Sequence, residues 1–375
     1  MASQIHLQPD PIEFDNQIFD LAFHPSENIV ATGLITGEVF CHRYTVDNTN
    51  ENINVLSIRP HKKSCRGLEF NHDGASLFSV SKDRSIQVIN LETGKIFVKK
   101  ADSHDYPINC ILRLNETTLA TGDDNGIIKL WDIRNGNEIM KYSEHLDFIS
   151  DFAFRLDTKT LLSTSGDGTL SVYDIRRPGL VAMSDNQDDE LLSIAVVKVN
   201  IILNVCIYVT VILSNPSHLP QDGRKVVVGT QEGIVNLYTW NDWGDTSDRI
   251  IGHPQSIDTL VKINDNLICT GSSDGIVRLV GILPNKFLGV IGDHDEFPIE
   301  CLRLSHDDNL LASSSHDNTV KFWNIRYLYE EEENGDDKNI NDNMDMDENP
   351  SRGGSRNNGV GKNIGNETNS FFADL

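Results

Sequence analysis

A period of 42 residues runs through the chain. Asp83, Asn125 and Asp167 follow one another at 42-residue steps; Glu232 and Asp274 are again 42 apart, and Asp317 comes 43 later. Each of these polar residues sits in a tight turn between two short apolar runs. The runs are clearest in "LEFNHDGASLFSVSKDRSIQVIN" from Leu68, "ILRLNETTLATGDDNGIIKLWD" from Ile111 and "FAFRLDTKTLLSTSGDGTLSVYD" from Phe152. They return in "LVKINDNLICTGSSDGIVRLVGI" from Leu260 and "LRLSHDDNLLASSSHDNTVKFWNI" from Leu302. Alternating apolar residues broken by turn residues at this spacing predict short strands and an all-β chain. A repeat of about 40–45 residues with four strands per unit is the pattern of a β-propeller. A repeat array also overrides the length prior of two or three domains that 375 residues would otherwise suggest.

The unit ends "LWDIR" (Leu130–Arg134), "VYDIR" (Val172–Arg176) and "FWNIR" (Phe322–Arg326) resemble those of the WD-repeat family. So do the histidines that precede the units: His61, His104, His145, His253 and His294. Two degenerate units, from Ile18 and around Ser193–Tyr238, complete a count of seven. The resemblance covers roughly Gln17 to Ile325 and implies a seven-bladed propeller, assigned here to residues 1–328. It also implies a hydrogen-bonded set in each blade: a turn Asp, the preceding His, a Ser or Thr of the second strand and a Trp of the third. Such a set satisfies buried polar groups and fixes register. The matching positions are His104, Asn125 and Trp131 in unit three, and His145, Asp167 and Tyr173 in unit four. Unit seven offers His294, Asp317 and Trp323. Unit six keeps His253 and Asp274 but has Val280 in the Trp place. Ser, His and Asp together suggest a hydrolase, but an active site occurs once and this pattern recurs, so no enzyme activity is expected.

Unit seven runs out of sequence after its third strand. Either "YLYEEEE" supplies a poor fourth, or the N-terminal "QIHLQPDPIEF" pairs there as the outer strand and covers the edge.

Asp167 and Glu232 are 65 residues apart, 23 more than the period. Lifting out Val199–Gln221 restores an ordinary unit, and the removed piece holds most of an unusually apolar run. A membrane span would split the ring, and Lys198 beside it opposes insertion. A genuine loop insertion is compatible with the fold, although a surface loop of Ile, Val and Leu invites aggregation. The third reading is a translated intron: Val199 requires a codon beginning GT, Gln221 can be encoded by CAG, and the excision keeps frame.

Net charge is −24, which opposes nonspecific association with phosphate backbones but allows a local basic patch. One such patch is Arg59, Lys62, Lys63 and Arg66 ahead of unit two, with Lys82 and Arg84 in its next turn. The six cysteines, Cys41, Cys65, Cys110, Cys206, Cys269 and Cys301, form no CxxC pair, which predicts free thiols and no metal or cofactor. The opening "MASQIHLQPD" has no charged-then-apolar leader. From residue 329 to 375 the chain has twelve acidic and four basic residues and almost nothing to bury, so a disordered tail is expected. Its end, "SFFADL", offers Phe371 and Phe372 as a docking motif.

The opening repeats and the acidic tail are similar to the nucleolar WD-repeat proteins of large-subunit assembly, the fungal Jip-five group. That resemblance implies a nuclear and nucleolar scaffold in 60S biogenesis and rRNA processing. Its partners would be pre-60S assembly factors, with at most a weak or indirect RNA contact, no membrane and no small-molecule substrate. A rival is a substrate receptor of a cullin-type ubiquitin ligase, docked through Trp131-Asp132-Ile133-Arg134. A chromatin adaptor is the third option.

Overall fold

The computed structural model describes residues 8–46, 52–198 and 224–329. Among them, 28 strands form seven four-stranded antiparallel sheets, the seven blades of a propeller. Each blade runs in chain order from an innermost strand a to an outermost strand d, except the last. In blade 7, strands a to c are Ile299–Leu304, Leu310–Ser315 and Thr319–Asn324, and the outer strand is the N-terminal Ile12–Glu13. Ile12 pairs with Val320 and Glu13 with Thr319, and Phe14 donates its backbone N–H to Asn318 O at 2.9 Å. The ring is therefore closed by the first residues of the chain. The alternative outer strand is not used: Tyr327–Tyr329 form a helical turn.

Strand a of each blade abuts strand a of the next, and Ile299–Leu304 of blade 7 returns to Ile18–Phe23 of blade 1. The core is divided accordingly into seven buried apolar clusters among the described residues, each between two neighbouring blades. Between blades 4 and 5, for example, Leu162, Leu170 and Val172 meet Ile194, Val226 and Val228. A strand b such as Ile29–Leu34 has a blade on each side, is buried at every position, and so reads as a continuous run of apolar and small residues rather than an alternating one. Close approach between blades also explains a recurring glycine. A Cβ on Gly122 would lie 2.6 Å from Ile149 Cβ of the next blade, and one on Gly229 2.7 Å from Ile257 Cγ2.

Blade 5 is complete without the anomalous segment. Its strand a is Leu191–Lys198 and its strand b Arg224–Thr230; the pairing runs from Leu191 with Thr230 to Lys198 with Arg224. The apolar stretch 199–221 and the tail with Phe371 and Phe372 lie outside the described residues. No helix among the described residues is long and apolar enough to cross a membrane.

Candidate functional site: two faces and a channel

The blade histidines sit on one face of the disc, where d–a and b–c connections emerge. His145 shows their arrangement. Its Nδ1 lies 3.0 Å from Asp167 Oδ2, and its Nε2 lies 2.8 Å from Ser163 Oγ. His294 repeats this with Asp317 Oδ2 and Ser313 Oγ, both at 2.7 Å, and Trp323 Nε1 donates to the same Ser313 Oγ at 2.8 Å. In blade 3 His104 Nε2 and Trp131 Nε1 meet on Thr121 Oγ1 at 2.7 and 2.8 Å. The carboxylate there is Asp123 Oδ2, 2.9 Å from His104 Nδ1, and not the residue at Asn125. Asn125 sits two positions further along the turn and donates its backbone N–H to Asp123 Oδ1. A carboxylate at the end of strand b reaches the same histidine, so the period misassigned the acid by two residues.

Blade 6 departs further. His253 Nε2 reaches Thr270 Oγ1 at 2.9 Å, but Asp274 is claimed by Arg278 of strand c, in a two-point ion pair at 3.0 and 2.6 Å. Burial, with Arg278 nearby, pushes the His253 pKa down to about 4, so this imidazole is neutral. In blade 4 Tyr173 fills the Trp position and packs on Tyr142, with ring centroids 4.3 Å apart. Ser163 and Ser313 are fully buried, which keeps their hydroxyls from any substrate. The constellation that looks like a catalytic triad is thus an interior strut, copied from blade to blade.

On the same face, Lys62 and Lys63 lie in the d–a connection of blade 2 and Lys82 in its b–c turn. The two loops are tied by Lys82 N–H to Ser64 O at 3.1 Å and Lys62 N–H to Asp83 Oδ2 at 2.9 Å. All three lysines are exposed, and their ammonium groups have no ion pair among the described residues. His61 is buried beneath them, 2.9 Å from Ser79 Oγ. Arg59 donates to Thr36 O at 3.1 Å. Arg84 pairs with Asp102 at 2.5 Å and has φ +69°, whereas blades 1, 3, 4, 5 and 6 place glycine at the corresponding left-handed turn position. A non-glycine residue there costs about 1 kcal/mol or more.

Arg66 does not belong to this patch. Every strand a carries a bulge after its first residue. The bulged residues Phe19, Arg66, Asn109, Ser150, Leu192, Asp258 and Glu300 together line the central channel. There Arg66 Nη1 meets Asp124 Oδ1 at 2.7 Å. The sequence signal for this ring is the second residue of each first strand, a position that apolar periodicity passes over.

The channel wall also holds Arg303, 3.1 Å from Asp20 Oδ1, with Cys301 Sγ 3.1 Å from the same oxygen. Burial pushes Glu69 up to about 7 against the pull of Arg113, and Asp151 up to about 6 against that of Arg303. Asp83, Asp167 and Asp317 go the other way. Burial opposes their ionisation, but hydrogen bonds from the blade histidines and from Ser85, Thr169 and Thr319 prevail and hold them below the usual carboxylate range. The raised groups stabilise the fold at low pH and lose that contribution as pH rises through about 6 to 7; the lowered groups contribute above about 4 and lose it in acid. His253, lowered by burial, adds stability as pH rises to about 6.5 and opposes the loss from Glu69 and Asp151, so the Glu69 contribution is read as a difference between variant and wild type. Relative to the wild type, Glu69→Gln should gain roughly 2–4 °C in unfolding temperature between pH 5 and pH 8 in a thermal melt series; a difference that does not change with pH would contradict the assignment.

Cys41, Cys65, Cys110, Cys269 and Cys301 are free, and no His/Cys/Asp/Glu group among the described residues could hold a metal ion. On the opposite face, Arg134 folds back on Asp132 through Nε and Nη2 at 2.9 and 2.7 Å, and Arg176 repeats the geometry on Asp174 at 2.8 Å for both contacts. The shared ending is a turn-forming pair in two blades.

Sequence comparison places this architecture in a family. The family model described as WDR55 matches residues 9–328. WD repeat-containing protein 55 homolog of Dictyostelium discoideum is 39% identical, over 87% of this chain and 73% of its own length. WD repeat-containing protein 55 of Mus musculus is 38% identical, over 87% of this chain and 78% of its own. WD repeat-containing protein JIP5 of Coprinopsis cinerea is 39% identical, over 85% and 75%. Propellers of this kind are generally non-catalytic platforms for protein–protein contact. With a family match spanning all seven blades, the chain belongs to the WDR55 family of WD-repeat proteins.

Proposed function

We propose that this protein is a non-enzymatic scaffold of the nucleus and nucleolus that serves large-subunit assembly and rRNA processing, with the face at blade 2 as its partner surface. Membership of the WDR55 family and similarity to a JIP5 protein support the assembly role. The observation that carries the choice of face is the trio Lys62, Lys63 and Lys82, exposed and without ion pairs among the described residues, beside Arg84 in a strained turn. On a chain of net charge −24, this patch suits an acidic segment of a pre-60S assembly factor.

Affinity purification of the full chain with mass spectrometry tests the reading. Pre-60S factors and precursor rRNA are expected in the eluate, and Lys62→Glu with Lys63→Glu and Lys82→Glu should reduce them about tenfold. Recovery of a cullin adaptor instead, lost on Arg134→Ala, would replace this function with that of a ligase receptor. Undiminished recovery of pre-60S factors by the triple variant would move the contact to another face.

A further inference from the structure

The opposite face carries a second basic site, of different chemistry. A cavity of about 300 Å³ opens between blades 4 and 5, where their a–b and c–d connections meet. Arg155, Arg176 and Arg177 line it, with Asp174 as the only acid among its lining residues, and Trp240 and Trp243 form its aromatic side. The two indoles pack edge to face with centroids 5.0 Å apart, and the Arg155 guanidinium sits 4.7 Å from the Trp240 ring centroid. At the margin Asp157 is held by Arg155 through Nε and Nη2, both at 2.7 Å, and Arg224 reaches the same carboxylate at 3.4 Å, so four arginines face two acids. The cavity therefore keeps a net positive charge on a strongly acidic protein.

The donors are placed for an anion. Arg176 holds Asp174 through Nε and Nη2, which leaves the two Nη1 protons for a ligand. Arg177 is only 3.8 Å from Asp174 and is mostly exposed. A carboxylate ligand would use the guanidinium groups and leave the indoles idle. A phosphodiester with an attached base uses both: arginine takes the phosphate, and the base stacks on tryptophan. The cavity has room for a single nucleotide.

We propose that this groove binds a short unpaired stretch of RNA, with Arg176 and Arg177 on consecutive phosphates and a base against Trp243. The site stands independently of the assembly role and of the lysine face on the other side of the disc.

The test is fluorescence anisotropy of the purified full chain with a 12-nucleotide single-stranded RNA, across a salt series. Arg176→Glu with Arg177→Glu should weaken binding at least about tenfold and lower the slope of log affinity against log salt by about 1.4, the value for two phosphate contacts on a single strand. Trp243→Ala should weaken binding about tenfold through lost stacking. Lys95→Glu with Lys99→Glu, an equal change of charge on the exposed outer strand of blade 2, should leave affinity within twofold. No binding at low salt, or equal losses in both charge-reversed variants, would overturn the proposal. So would a phosphorylated peptide held in this groove where RNA is not.

Discussion

Ile12→Asp is expected to lower the unfolding temperature by roughly 8 °C, a loss of about 4 kcal/mol for a carboxylate forced into an apolar site in a domain of this size. Ile12 is 6% exposed and packs with Leu310, Ala312, Val320 and Phe322 of blade 7 and with Ile18 and Leu21 of blade 1. Its neighbour Phe14 reaches Phe40 and His42 of blade 1, with centroids 5.6 and 5.5 Å away. Asn52 Nδ2 donates to Asp10 O at 2.7 Å, so blade 1 grips the same segment again. The short N-terminal strand thus joins the last blade to the first. Without it, the edge of Thr319–Asn324 is bare and the ring has a seam. Ile12→Val, which keeps the apolar contact, should cost about 1 kcal/mol. Thermal melts of both variants decide the matter: an Ile12→Asp protein that melts with the wild type would mean the ring is closed elsewhere.

Thr121→Val should cost about 2–4 kcal/mol, because one hydroxyl serves two buried rings. Thr121 Oγ1 accepts from Trp131 Nε1 and meets His104 Nε2, and all three residues are buried. The substitution keeps the volume and removes both contacts, leaving the indole N–H with no partner in an apolar wall. Blade 6 provides the internal comparison. Thr270 meets only His253, since Val280 stands where the indole would be. Thr270→Val should therefore cost about 1 kcal/mol. Denaturant melts of the two variants should differ by at least about 1 kcal/mol; equal losses would show that the shared hydroxyl is not the keystone of blade 3.

Much of this architecture was legible in the sequence, because a repeat averages its own noise. One blade predicts little, but five clear units and two degenerate ones around a 42-residue period fix the strand count, the turn positions and even the surplus in blade 5. The N-terminal closing strand was legible as a need: blade 7 lacked a fourth strand, and an apolar segment was left over at the other end. The site was less legible. Spacing puts Asn125 where the turn Asp is expected, whereas Asp123 has the reach to His104. Asp274 fits the turn pattern, but Arg278 four residues on draws it away from His253. Arg66 reads as one more basic loop residue until a bulge turns it into the channel. The arginine–tryptophan groove joins residues from two blades about 60–90 positions apart, and no single repeat announces it.

Among the described residues the ring has seven complete four-stranded blades. Strand a of blade 5 ends at Lys198 and its partner begins at Arg224, directly opposite. Deleting 199–221 and following unfolding by calorimetry tests this directly. The expected trace is one cooperative transition within about 2 °C of the full chain, since loop length changes closure entropy only slightly. A broad transition, or one lowered by 10 °C or more, would mean that the segment is part of the ring.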